Sequence, residues 1–144
     1  MSARTGKKGS ARKSPAQQVA EQTGIAVAGS ARELLDRMLA KKMFVIIWRA
    51  NPGADLGPVL RSHLEFMIDL EQRGVLFASG PMSGAPGDGL TILRAADIDA
   101  ARQIAARDPF VLKGLREFDL REWTLMEGAI GITIHCSDRS IALS

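Results

Sequence analysis

The sequence predicts an α+β fold in the order strand, helix, strand, strand, helix, strand, the split βαβ arrangement of ferredoxin-like domains. Three observations carry that prediction. Met43 to Trp48 is apolar at every position. Residues from about Asp55 to Arg73 have the period of a helix, and Asp97 can cap a second one through Ala106. Gly80 to Gly89 is a dense run of turn formers between two short apolar segments.

Each element has its own local reason. A strand apolar at every position has both faces covered, unlike one that alternates with a wet face. The turn Asn51-Pro52-Gly53 ends it, and the first helix then runs to a stop at Gly74. Val75 to Ala78 and Leu90 to Arg94 read as an antiparallel pair joined by the glycine- and proline-rich loop. Asp97 caps the second helix, which stops at Asp108-Pro109 because the residue before proline is driven out of the helical region. Phe118 to Leu125 is the fourth strand, so the domain spans residues 43–126. Two helices cover only one face of a four-stranded sheet. The doubly apolar first strand therefore predicts a homodimer whose sheets face each other.

The flanks differ in character. Residues 1–29 are rich in Gly, Ser, Ala, Lys and Gln and are expected to be mostly disordered, with Ser14-Pro15 as the one start for a short helical turn before Gly24. Ser30-Ala31-Arg32-Glu33 matches a capping box. With Leu34, Leu35, Met38 and Leu39 behind it, the stretch predicts an amphipathic helix over 30–42 that packs on the domain. Ile130, Ile132 and Ile134 alternate with small or polar residues, so an extra strand or β-arm is expected within 127–144.

A chain of 144 residues with 46% hydrophobic and 24% charged residues suits one soluble domain with extra length at its ends. Nothing in it approaches the roughly 18 consecutive apolar residues of a membrane span, so no membrane partner is expected. The net charge of +3 belongs to the N-terminus. Arg4, Lys7, Lys8, Arg12 and Lys13 occur there without an acidic residue, and outside them 14 basic residues face 16 acidic ones. Nucleic acid is thus not a partner of the folded part. A polyanion-binding arm is conceivable only for the tail, where a solvated segment is the plainer reading. Cys136 is the only cysteine, which excludes an intramolecular disulfide and fits a cytoplasmic protein. The apolar run Ile25 to Ala28 is far shorter than the core of an export signal.

At about 100° per residue, Leu56, Val59, Leu60, Leu64, Phe66, Met67 and Leu70 share one broad stripe of the first helix, and His63 lies inside it. A histidine among core positions is costly unless its ring nitrogens are paired. Asp108 is the candidate partner, because both helices pack on one sheet face and it stands where the second ends. A carboxylate there fixes the imidazole tautomer and suits it to general-base work near neutral pH. On spacing alone, a satisfied core histidine and a turn aspartate are the plainer readings. Ser79, beside Gly80 and Pro81, offers a hydroxyl to a ligand or satisfies its own turn, and Arg49 at the end of the first strand either holds an anionic substrate or reaches solvent. His135 and Cys136 are strand neighbours pointing to opposite faces, so no metal site is expected. Gly84, Gly87 and Gly89 precede no helix and form no phosphate cradle.

His63-Leu64-Glu65-Phe66, the segment Gly74 to Pro81, and Asp108-Pro109-Phe110 followed by Leu115 and Trp123 together resemble the YCII-related family. Their order and spacing carry the resemblance rather than any one piece. It implies a dimeric α+β barrel in which His63 and Asp108 form a catalytic dyad beside a pocket. Family activity, where assigned, includes elimination of chloride from a chlorinated hydroxyquinone, chemistry that implies no metal or organic cofactor. Two departures stand out: a long extension before the first strand, and a C-terminal segment continuing past Trp123 to Ser144. Tyrosine is absent, so no phenolic acid is available. The expected function is a cofactor-free lyase or isomerase acting on a small aromatic or enol-type metabolite, with His63 moving a proton and Asp108 orienting it. The competing expectation is a dimeric accessory protein that binds a small molecule without converting it.

Overall fold

The computed structural model describes residues 12–143. Along the chain run α1 (Pro15–Thr23), α2 (Gly29–Leu35), β1 (Lys41–Ala50), a 3-10 turn at Gly57–Val59, α3 (Leu60–Gln72), β2 (Leu76–Pro81), β3 (Gly89–Leu93), α4 (Ile98–Ala105), α5 (Pro109–Leu112), β4 (Arg116–Leu125), β5 (Ile132–Ile134) and β6 (Ile141–Leu143). The chain divides into two compact units, Lys41–Thr124 and one built from the segments flanking it.

The central unit has the βαββαβ order expected, with the short α5 added. Its sheet has the order β2-β3-β1-β4, and β3 pairs antiparallel with both β1 and β2. Register decides which side chains share a face. Phe44 opposite Leu93, Ile46 opposite Thr91 and Trp48 opposite Gly89 lie on the face that carries the helices. There Phe44, Ile46, Trp48 and Leu93 form the core with Met67 and Leu70 of α3, Ala101 and Ala105 of α4, and Leu120 of β4. The small residues of α4 let that helix approach the sheet closely. Asp97 caps it by accepting the Ala100 amide at 2.8 Å. On the opposite face Val45 stands across from Ile92, and Ile47 from Leu90, all four half-buried.

Two expectations for this unit change. The turn-rich loop begins later than predicted, because β2 runs on through Ser79, Gly80 and Pro81 and pairs with β3 to Gly89. The apolar stripe of α3 is split: Met67 and Leu70 are buried, whereas Leu60 and Leu64, joined by Ile68 from outside the predicted stripe, are about half exposed. Those three recur every fourth residue and form a second, narrower stripe beside the core-facing one.

In the flanking unit, the segment expected to be mostly disordered is helical over Pro15–Thr23. The Ser14 hydroxyl accepts the Gln17 amide while the Gln17 side chain accepts the Ser14 amide, and Gly24 closes the helix at φ 71°. The capping box thus forms here and not at Ser30. There the helix starts at Gly29, which leaves Ser30 within it, and it ends at Leu35, short of the expected 42, without burying any of its residues. Arg4, Lys7 and Lys8, and most of the basic tail with them, lie outside the described residues. The predicted C-terminal arm is a two-stranded hairpin of β5 and β6, with Ile134 opposite Ile141. Cys136 is exposed and unpaired. No described helix is long and apolar enough to cross a membrane.

Candidate active site

His63 sits on α3 and Asp108 at the N-terminus of α5, 45 residues apart in sequence, and their side chains meet: His63 Nδ1 lies 2.9 Å from Asp108 Oδ2. The pair is well shielded, with 13% of the histidine side chain exposed and none of the aspartate. Each oxygen of Asp108 has its own work. Oδ1 caps α5 by accepting the Phe110 amide at 2.8 Å, and this fixes the carboxylate so that Oδ2 meets the imidazole. Pro109 makes the geometry local, since it keeps Asp108 extended and pre-sets the first residue of the helix. The Phe110 ring then stacks on the imidazole, with centroids 4.4 Å apart at 26°. In the tautomer whose Nδ1–H donates to Asp108, Nε2 carries the lone pair.

His63 lies on the wall of a cleft of about 600 Å3 between α3 and β2, with contributions from Trp48, Gly89 and Arg116. Leu60, Leu64, Met67, Ile68 and Phe77 make its walls largely apolar. The exposed stripe of α3 is therefore one side of this cleft. Ser79, Gly80 and Pro81 line the other. Ser79 is a strand residue here, its hydroxyl 2.8 Å from that of Thr91, which also accepts the Trp48 indole N–H at 2.8 Å. Thr91 can pass its own hydrogen to Ser79 and leave the serine hydrogen for the cleft.

Arg49 is not brought to this place. It follows Trp48 on β1, and alternation along a strand turns it to the opposite face, where it is exposed. The arginine of the cleft is Arg116, at the start of β4, only 8% exposed. Sequence reasoning missed it, although Arg116, Phe118 and Leu120 alternate in register and point the same way. Its Nε donates to the Gly87 carbonyl at 3.0 Å, joined by Nη2, and its guanidinium carbon lies 5.0 Å from the Phe110 centroid and 5.5 Å from that of Trp48. Burial lowers its basicity from the ordinary arginine range, while the charges of Asp108 and Asp88 act in the other direction. No group of three or more potential metal ligands occurs among the described residues.

A ferredoxin-like α+β domain, with a histidine and a buried aspartate paired on the wall of an apolar cleft, is the class of protein that fold and site define. Residues 43–124 match the YCII-related domain, and the chain belongs to that family. Among solved structures it is similar to 5-chloro-2-hydroxyhydroquinone dehydrochlorinase from Burkholderia phenoliruptrix AC1100, determined in complex with 2,5-dihydroxybenzoquinone. The identity is 22% and the TM-score 0.47, over 56% of this chain and 92% of that one. No curated protein matches the chain.

Proposed function

We propose that this protein is a cofactor-free acid/base enzyme of the lyase or isomerase type, acting on a small aromatic or enol-type molecule bound in the cleft. The observation that carries the reading is the 2.9 Å contact of His63 Nδ1 with an Asp108 whose other oxygen is held by a backbone amide. Such an arrangement is a base with its tautomer set. Nε2 takes a proton from the substrate, the imidazolium is stabilised by Asp108, and the proton is returned to a neighbouring atom or leaves with the product. In an elimination, the pair released by the broken C–H or O–H bond forms the new π bond as the leaving group departs with its own pair. Membership of the YCII-related family supports this reading. The protein works as a cytoplasmic homodimer, with the half-buried Val45, Ile47, Leu90 and Ile92 of one sheet covered by those of its partner.

The test uses a panel of halogenated hydroxyquinones and enolisable acids, followed by chromatography. The wild type is expected to consume at least one. His63→Ala and Asp108→Asn are expected to lose about a hundredfold or more of that rate with an unchanged circular dichroism spectrum, the usual scale of general acid/base catalysis. The Asn variant is informative because its amide nitrogen donates to Nδ1 and forces the hydrogen onto Nε2, which removes the base without removing the ring. Full turnover in either variant, or loss of folding in both, would overturn the assignment. A compound that raises the melting temperature without being consumed would favour a non-catalytic binding protein.

A further inference from the structure

Arg116 is a buried cation without a counter-ion in contact. Among the described residues its hydrogen bonds go to the Gly87 carbonyl, a neutral group shared by Nε and Nη2. No carboxylate of the described residues lies within ion-pair distance of it. Of the two acidic residues whose charge reaches it, Asp108 engages His63 and the Phe110 amide with its two oxygens, and Asp88 accepts the Ala50 amide with one of its own at 3.2 Å. Buried charges are ordinarily paired, because desolvation of an unpaired one is costly. A guanidinium has five N–H donors, and one carbonyl takes only some of them; no fully buried side-chain nitrogen of the described residues lacks a partner, so the donors left over are accessible ones.

Arg116 lines the cleft. Trp48 and Phe110 hold the guanidinium by ring contacts and offer no oxygen. Gly89 is its neighbour in the cleft lining: a Cβ there would crowd the Gly80 carbonyl at 3.1 Å and reach ordinary contact with Arg116 Nη2 at 3.7 Å. Phe110 also stacks on His63, so one buried ring touches both the imidazole and the guanidinium.

We propose that the cleft takes a small, flat organic anion, an apolar ring or chain ending in a carboxylate, phenolate or enolate oxygen, and that Arg116 is the residue that holds that oxygen. The inference deepens the acid/base reading above and rests on it for the identity of the site. A fork of planar donors matches such an oxygen better than a point charge does, and the apolar walls receive the rest of the molecule. Held in this way, the ligand presents its body to His63, and charge that builds on the oxygen as a proton leaves is met by a donor already in place.

Calorimetric titration of the full chain with benzoate and with benzamide, which share a shape and differ in charge, tests the proposal. Benzoate is expected to bind saturably, and benzamide about tenfold or more weakly, the scale of one charge-assisted hydrogen bond. Arg116→Gln is expected to lose benzoate to a similar extent, and Arg116→Lys to restore part of it. Asp108→Asn removes a negative charge near the guanidinium, so it should bind benzoate as tightly as wild type or more so although it lacks turnover. Failure of the anion site is thereby separated from failure of the dyad. If Arg116→Gln does not fold, the Arg116 Nε–Hε resonance of the wild type, expected to shift during the benzoate titration, gives the same answer. No saturable benzoate binding at millimolar concentrations, equal affinity for the two probes, or an unmoved Arg116 resonance at saturation would each overturn it.

Discussion

Asp108 makes two different bonds with one side chain. Fully buried, it closes the first turn of α5 and fixes His63, so replacing it tests two bonds at once. Asp108→Ala leaves the Phe110 amide and the imidazole Nδ1 without partners and should cost about 2–4 kcal/mol in urea unfolding. Asp108→Asn keeps an acceptor for the amide and a donor for the ring, and should cost less than about half of that. Equal losses would mean that the ionised carboxylate itself holds the fold. His63 was legible because a polar ring within an apolar stripe demands a partner, and Asp108 because proline fixes where a helix stops. Arg116 was not, since a charged residue opening a strand reads as a solvent contact. Only the positions of Trp48 and Phe110 show that its guanidinium turns inward. Arg49 fails for the complementary reason: one step along β1 changes the face.

α3 has two sides with different duties. Leu70 is 2% exposed in the core, whereas Leu64 is 50% exposed on the cleft. Leu70→Ala should destabilise the protein by about 2–4 kcal/mol, as truncation of a buried leucine does. Leu64→Ala should cost less than about 1 kcal/mol, and a Leu64 variant as damaging as that of Leu70 in chemical denaturation would show that the cleft is closed in solution. Periodicity alone placed both residues in one stripe, because an arc wide enough for a core does not reveal that part of it faces a groove. The same limit of local pattern explains the helix starts. Ser14 with Gln17 and Ser30 with Glu33 have equivalent spacing, yet only the first begins a helix, since in the second the chain turns helical one residue early, at Gly29.

For the whole molecule, the central unit was readable almost entirely from the sequence. The element order follows from apolar runs, helical periods and turn formers. The register of β2 against β3 does not, since it shifts between Leu76 and Ala78 and runs on to Pro81. The added α5 was hidden, being four residues long and set by its cap. The half-buried sheet face argues for assembly. Val45, Ile47, Leu90 and Ile92 form a contiguous apolar surface, and covering it with a second copy removes it from water at roughly 25 cal/mol per Å2. Sedimentation at micromolar concentration should therefore give a dimer, and Ile47→Glu should shift it toward monomer without loss of secondary structure. A wild-type monomer at that concentration would remove the argument.

Trp48 donates its indole hydrogen to Thr91 and is 3% exposed, while Trp123 is 36% exposed on β4. The chain has no tyrosine and only these two indoles, so its ultraviolet emission comes from one sheltered and one wet fluorophore. Their colours differ for that reason. Because Trp48 lines the cleft and reaches Ser79 through a single hydroxyl, a guest in the cleft changes the bluer component alone. The redder component, from Trp123, supplies an internal standard, so the protein carries a two-colour gauge of its own occupancy without any attached dye.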